Sequence, residues 1–573
     1  MRKIFVFLKD YKKESILAPL FKLLEALFDL FVPLVIANII NYGIENKDFN
    51  YILKEFLILI LMAVVGLICS IVAQYFAAKA SVGFTTKLRQ ALFDHIGTLT
   101  YKELDRVGSD TLITRLTSDT NQIQTGLNLA LRLLLRSPFV VFGAMIMAFT
   151  IDFKCAIIFA IVIPLLCFAV FFIMLKSIPL FKKVQKNLDV LLSKTRENLL
   201  GIRVIRAFRI EDKEVLEFDN QNNLLTSENE KVGRLSSLLN PITYVLINMA
   251  TVILIYEGAI EVSNLGIAKG DVVALYNYMA QIVVELVKMA SLIITIDKSL
   301  ACVSRVEKIL DIKVDMEYKN DKMIDTDSDN AIEFKEVSFA YENSPVNCLN
   351  NISFSLKKGE TLGIIGPIGS GKTTLINLIC RFYDVKSGEI IVDGTNVKDY
   401  PKNELLNKIS LVPQKATLFR ASVRDNLKVA CKDASDEKLW EALEISQAKE
   451  IIENKDGKLD FLIEQNGKNL SGGQKQRLTI ARALTKDFEI LILDDSASAL
   501  DLVTDAALRK SLSKLNKTII NVSQRISTIK NADKILVLED GNMVGFGNHN
   551  ELMENCDTYK EIYYSQFKGE ENK

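Results

Sequence analysis

The stretch Gly366-Pro367-Ile368-Gly369-Ser370-Gly371-Lys372-Thr373 follows directly on a short apolar run, Thr361 to Ile365. It is a full match to G-x-x-x-x-G-K-[ST], and the run before it reads as a buried β-strand. A strand, a glycine-rich turn and a helix start in that order make a phosphate-binding loop. The glycines let backbone N–H groups close around the β- and γ-phosphates, Lys372 offers a point charge and Thr373 supplies a magnesium ligand. Gly366, Gly369, Ser370, Gly371, Lys372, Thr373 and Thr374 are therefore candidates for holding ATP in an α/β domain.

In an open parallel sheet, ligand chemistry gathers at the carboxyl ends of the strands, which lets distant residues be placed together from sequence. A second strand pattern, Glu489-Ile490-Leu491-Ile492-Leu493, ends at Asp494-Asp495, and a third, Thr518 to Val522, leads to Gln524. All three ends are expected to face the γ-phosphate. Asp494 is then the carboxylate that holds Mg2+, directly or through water, and Asp495 stands where a base would orient the attacking water.

The remainder of the chain is of another kind. Its 573 residues are 49% hydrophobic with a formal net charge of +0, too long for one domain and too apolar for an ordinary soluble enzyme. The apolar runs crowd before about Asp311. Six of them, near 16–41, 52–79, 130–151, 154–175, 238–260 and 271–296, reach the roughly 20 residues of helix that cross a hydrocarbon core. Pro33, Pro138, Pro164 and Pro241 fall in or at the ends of these helices, where kinks are expected. The connections 80–129 and 176–237 are long, helical in period and rich in Lys and Arg, and the others are short. The positive-inside rule therefore puts the long connections and both termini in the cytoplasm, with each membrane helix continuing well beyond the bilayer.

Intramembrane charges mark functional or paired positions. Glu25 and Asp29 lie in the first span, and Glu285 and Lys288 in the sixth, where their spacing allows them to pair or to meet a transported solute. Eight cysteines without CxxC spacing and only His95 and His549 argue against a metal cluster, a disulfide framework or a histidine site. No cleaved signal peptide is expected at the basic N-terminus, and nothing points to nucleic acid. The reading is a membrane domain over 1–310, an Asp-rich linker over 311–330 and a nucleotide-binding domain over 331–573.

Leu470-Ser471-Gly472-Gly473-Gln474 resembles the signature sequence of ATP-binding cassette (ABC) transporters. Val412-Pro413-Gln414, the Asp494 strand and Ser498-Ala499-Leu500-Asp501 stand in that family's order and approximate spacing. Leu104-Asp105-Arg106-Val107-Gly108-Ser109 through Arg115-Leu116-Thr117-Ser118-Asp119 resembles the first cytoplasmic loop of exporter-type members. Gly201-Ile202-Arg203-Val204-Ile205-Arg206-Ala207-Phe208 resembles the second. The resemblance implies a six-span α-helical domain followed by an α/β nucleotide-binding domain with its helical subdomain, in a half-transporter that dimerises in the plasma membrane. It also implies that Tyr341 stacks on adenine and that Gln414 joins Mg2+ to a loop sensing the membrane domain. Ser471, Gly472, Gly473 and Gln474 would cap the ATP of the opposite subunit, with Asp501 at the dimer seam. A helix start at Ser471 suits anion capture.

Two departures shape the functional expectation. Where the family usually has a catalytic glutamate and a switch histidine, this chain has Asp495 and Gln524. Shortening Glu to Asp withdraws the carboxylate by one methylene, and misplacement of about 1 Å can cost on the order of 100-fold in rate. Loss of effective general-base action costs roughly 100- to 10,000-fold. Gln524 can donate a hydrogen bond but cannot carry a proton as imidazole can. The combination resembles the degenerate-site subunit of bacterial heterodimeric multidrug exporters, whose partner would carry the consensus glutamate and histidine. A homodimeric exporter, an importer on the exporter fold and, lower in rank, an ATP-gated channel or regulatory subunit are the alternatives. The transported solute is not legible.

Overall fold

The computed structural model describes residues 4–316, 318, 328–342 and 344–567, so half of the expected linker lies outside the described residues. The chain divides into two compact units, Met1–Gly97 with Ser109–Ile312, and Thr98–Gly108 with Lys313–Lys573.

The first unit is all helix. Its six apolar helices run over Ile4–Ile44, Phe49–Thr98, Ser109–Ile151, Phe153–Leu200, Glu211–Ser263 and Lys269–Leu310. Each is far longer than the apolar stretch that marked it. At 1.5 Å per residue the 50 residues of Phe49–Thr98 extend about 75 Å, more than twice a hydrocarbon core. Two prolines break the regular helix where their chemistry demands. A proline ring clashes with the carbonyl four residues earlier, and the helix yields at Leu134–Leu135 before Pro138 and at Leu238 before Pro241. Pro33 and Pro164 lie within continuous helix. Small residues let the helices close on one another: Ala144, Ala148, Ala156 and Ala274 are fully buried beside Phe159, Leu254 and Tyr278.

Several buried charges in this unit are paired. Glu285 and Lys288 do meet, at 3.0 Å, but the stronger partner comes from elsewhere. Arg136 reaches Glu285 at 2.6 Å and Asp29 at 3.0 Å, and Ser137 Oγ donates to Glu285 at 2.8 Å. In the first span Lys22 pairs with Glu25 at 2.6 Å and donates to Ser70 Oγ at 3.2 Å.

The second unit is α/β. One sheet is antiparallel, built from β1 (Asn330–Phe339), β2 (Leu349–Lys357), β4 (Ser387–Val392) and β5 (Thr395–Asn396) in the order β2-β1-β4-β5. The other contains β3 (Thr361–Ile365), β6 (Ile409–Val412), β7 (Ile490–Asp494), β8 (Thr518–Val522), β9 (Lys534–Glu539) and β10 (Asn542–Gly547). Its order is β10-β9-β3-β8-β7-β6, parallel except for β10. These central strands are apolar on both faces because both are covered, as parallel sheets require. Ile364, Ile492, Ile520 and Leu536 are fully buried. A separate helical layer spans Val423–Lys428, Asp436–Ile445, Lys449–Glu453 and Gly472–Leu484 around its own core of Leu427, Leu439, Leu443 and Leu478. The segment Thr98–Gly108, between the second and third long helices, belongs to this unit: Tyr101 stacks on Phe382 with centroids 4.3 Å apart.

Candidate nucleotide-binding site

β8 lies between β3 and β7, and the register pairs Val522 with both Ile364 and Asp494. The three strand ends thus finish level, which brings the phosphate loop, the Asp494-Asp495 pair and the Gln524 turn to one edge of the sheet.

The loop after β3 needs glycine for stated reasons. A side chain at Gly366 would meet the Leu538 carbonyl oxygen at 2.0 Å. Gly371 has φ +98 and a Cβ there would press on Leu349 Cδ2 at 2.7 Å. Gly369 and the buried Ser370 complete the turn, and the helix Lys372–Ile379 starts immediately after it. Lys372 Nζ donates to the carbonyls of Gly366 at 2.8 Å and Pro367 at 2.6 Å. Burial pulls this ammonium below the ordinary lysine range, against the attraction of Asp495 and Asp494. Among the described residues its remaining hydrogen bond is to Ser370 Oγ at 3.4 Å.

Thr373 Oγ1 donates to Asp494 Oδ2 at 3.2 Å. Asp494 is 5% exposed, and burial pushes its carboxyl above the usual range, with neighbouring Asp495 adding to the rise. A hydroxyl and a desolvated carboxylate form a hard-oxygen donor set that fits Mg2+. Thr373 and Asp494 would hold the ion, which supplies neutralisation of phosphate charge when bound.

Asp495 sits at φ +44, a left-handed conformation that aspartate tolerates better than most residues. Its N–H donates to the Val522 carbonyl at 3.0 Å, and its own carbonyl accepts from Ser498 N at 3.2 Å and Oγ at 2.8 Å. Burial raises its carboxyl too, opposed by a hydrogen bond from the side chain of Gln414. Gln414 is exposed beyond β6. Gln524 stands two residues beyond β8 with an exposed side chain. Its main-chain carbonyl accepts from Gln566 Nε2 at 2.7 Å.

Tyr341 is oriented from two sides. Its hydroxyl lies 3.1 Å from Thr374 Oγ1, and its ring makes edge contacts with Phe339 and Tyr383 at 4.9 and 5.3 Å. The signature opens the helix Gly472–Leu484 with a reciprocal capping box. Ser471 Oγ accepts from Gln474 N at 3.3 Å, and Gln474 Oε1 accepts from Ser471 N at 3.0 Å. That cap uses the Gln474 N–H. Asp501 is the N-cap of the helix Leu502–Leu512, accepting from Thr504 N at 2.9 Å and Thr504 Oγ1 at 2.8 Å. Within this chain its carboxylate is already engaged. Gln566 and Tyr383 are contacts that sequence reading missed, and neither belongs to a motif that could have flagged it. Arg525, which follows Gln524 and donates to the carbonyls of Ser498 and Leu500 at 3.2 Å, carried a signal only through that adjacency.

Comparison with known proteins agrees with this arrangement. The family described as ABC transporter transmembrane region matches residues 15–286, and the family described as ABC transporter matches residues 349–498. The chain is 34% identical over 567 residues to the uncharacterized ABC transporter ATP-binding protein YfiB of Bacillus subtilis (strain 168), covering 99% of each. It is 28% identical over 569 residues to the ATP-dependent lipid A-core flippase of Escherichia coli (strain K12), covering 99% of this chain and 97% of the flippase. A solved bacterial Atm1-family ABC exporter with ATP bound shares the fold at TM-score 0.80 and 21% identity, over 97% of this chain and 99% of that one. With six membrane-capable helices and a nucleotide domain in one polypeptide, this chain belongs to the ABC transporters, multi-pass membrane ATPases coupled to transport.

Proposed function

We propose that the chain is one half of a heterodimeric ATP-driven exporter whose own phosphate loop binds ATP and turns it over slowly. One observation carries the reading: the groups suited to holding nucleotide and Mg2+ are assembled, whereas the groups suited to activating water are not. Lys372, Thr373 and Asp494 converge at the level strand ends. Asp495 is one methylene short of glutamate, and Gln524 stands in the place of a proton-carrying imidazole with an exposed carboxamide.

Tyr341 takes the adenine face, and Gln414 joins Thr373 and Asp494 near the metal. Ser471, Gly472, Gly473 and Gln474 complete the partner's competent site, with Asp501 at the seam. The membrane domain over 1–310 and the nucleotide domain over 331–573 lie in that order, with the nucleotide domain and both termini cytoplasmic. ATP binding closes the two nucleotide domains, the cytoplasmic loops transmit that closure, and the cavity turns outward. Hydrolysis at the partner's site resets it. The cargo enters from the inner leaflet or the cytoplasm, and drugs or lipids both suit an apolar cavity with a few charges.

The decisive experiment reconstitutes the full-length chain in proteoliposomes alone and with the product of its neighbouring reading frame. The expected result is ATP binding without appreciable turnover alone, and turnover with solute movement when paired. Equal turnover per site in the lone chain would establish a homodimer instead.

A further inference from the structure

In the turn that carries Gln524, Ser523 Oγ accepts from Arg525 N at 3.0 Å, which leaves the next N–H and the Gln524 carbonyl to be satisfied from elsewhere. The helix Ile526–Ile529 follows the turn, and its N-cap, Arg525, makes no side-chain cap. The Ile526 N–H is thus one of the orphan donors that every helix start leaves, and the Gln524 carbonyl lies just beyond the end of β8, past the last ladder position at Val522. One side chain from 40 residues away answers both. Gln566 Oε1 accepts from Ile526 N at 2.9 Å, and Gln566 Nε2 donates to Gln524 O at 2.7 Å. A carboxamide is the side-chain group that can accept and donate in one plane in this way. Gln566 therefore acts as a detached piece of strand, clamping the main chain on either side of Arg525.

Gln566 is firmly mounted although it is exposed. It lies in the last turn of the helix Asp557–Phe567. That helix is seated by the fully buried Tyr559, whose hydroxyl is 2.8 Å from His549 Nδ1, and by Thr558 Oγ1 donating to Glu539 at 2.8 Å. Ile562, Tyr563 and Phe567 pack on the cluster that contains Ile526 and Ile529. The position of the C-terminal helix is thus transmitted to the Gln524 main chain through two hydrogen bonds of defined direction.

We infer that Gln566 is a positioning residue for the γ-phosphate group of this site: through it, the C-terminal helix sets where the Gln524 side chain stands relative to nucleotide in the phosphate loop. This rests on the proposed reading of Gln524 as the residue facing the γ-phosphate. The discriminating property is selectivity between tri- and diphosphate, because a misplaced Gln524 affects only the ligand that has a γ-phosphate.

The test is equilibrium binding of fluorescent ATP and fluorescent ADP to the purified full-length chain, with variants Gln566→Ala, Gln566→Glu and Gln524→Ala. Gln566→Ala is expected to weaken ATP roughly three- to tenfold, the scale of losing one or two accessible hydrogen bonds, and ADP less than about twofold. Gln566→Glu, which sets a carboxylate oxygen against the Gln524 carbonyl, is expected to do at least as much. The double variant Gln524→Ala/Gln566→Ala is expected to match Gln524→Ala alone, since one residue acts through the other. Equal weakening of ATP and ADP by Gln566→Ala marks a purely structural clamp and overturns the inference, as does an unchanged ratio while Gln524→Ala changes it. An unchanged ratio in Gln524→Ala itself overturns the reading of Gln524, and the inference with it.

Discussion

Two clusters of buried charge, one in each half of the molecule, are treated in opposite ways. In the membrane unit Glu285 is enclosed by Arg136, Lys288 and Ser137, and Arg136 also holds Asp29. In the nucleotide unit Lys372 rests on neutral carbonyls, and Asp494 lies beside a second carboxylate in a desolvated corner. The first cluster pairs internally, although among the described residues Arg136 Nε is buried without a hydrogen-bond partner, and the second leaves its cation on neutral carbonyls, as the proposed ATP and Mg2+ site requires.

The contrast can be broken most forcefully in the membrane unit. Arg136→Leu leaves Glu285 with the half-exposed Lys288 and the Ser137 hydroxyl and is expected to cost about 3–5 kcal/mol, while Arg136→Leu with Glu285→Leu recovers most of it. Thermal unfolding in detergent reads this, and an unchanged midpoint in the single variant would move the cluster into the ligand-binding class. Next in size is the hydrolytic pair. Asp495→Glu with Gln524→His is expected to raise phosphate release by the full-length chain about 100-fold, or about 2.7 kcal/mol in the barrier. No gain would show that these two positions do not limit turnover.

Lys372→Ala should weaken ATP binding about 30-fold, near 2 kcal/mol for a charge-assisted contact, with the unfolding midpoint held. A fall in stability instead would mean that the ammonium serves the loop rather than the phosphate. Smallest is Asp501→Ala, expected to cost about 1 kcal/mol of stability through the lost helix cap, with Asp501→Asn keeping most of it. The seam reading separates from the capping one if Asp501→Asn, which preserves the cap, still impairs turnover of the paired assembly.

Much of the nucleotide fold was legible because its signals are local. β3 and β8 fall on the boundaries read from apolar runs, and β7 ends at Asp494 as the pattern indicated. The phosphate loop is a contiguous string whose glycines have conformational reasons visible in any such string. The six spans were equally legible, since length and apolarity are enough to mark them. Arg136 was not, because its partner Glu285 is 149 residues away and nothing in the spacing links them. The clasp by Gln566 escaped for the same reason. Asp501 shows the converse limit: its motif suggested a role between chains, and the structure reveals a capping role within one.

By itself the sequence determined which segments are apolar enough to span a membrane, which loop can wrap a phosphate, and that two positions after β7 and β8 carry Asp and Gln. These follow from covalent identity and from periodicities of two and 3.6 residues, which no partner can alter. Tertiary structure decided which charges neutralise one another, which carboxylate is desolvated and which side chain holds the Gln524 turn. Those outcomes depend on distances of about 3 Å between residues far apart in the chain, and only packing creates such distances.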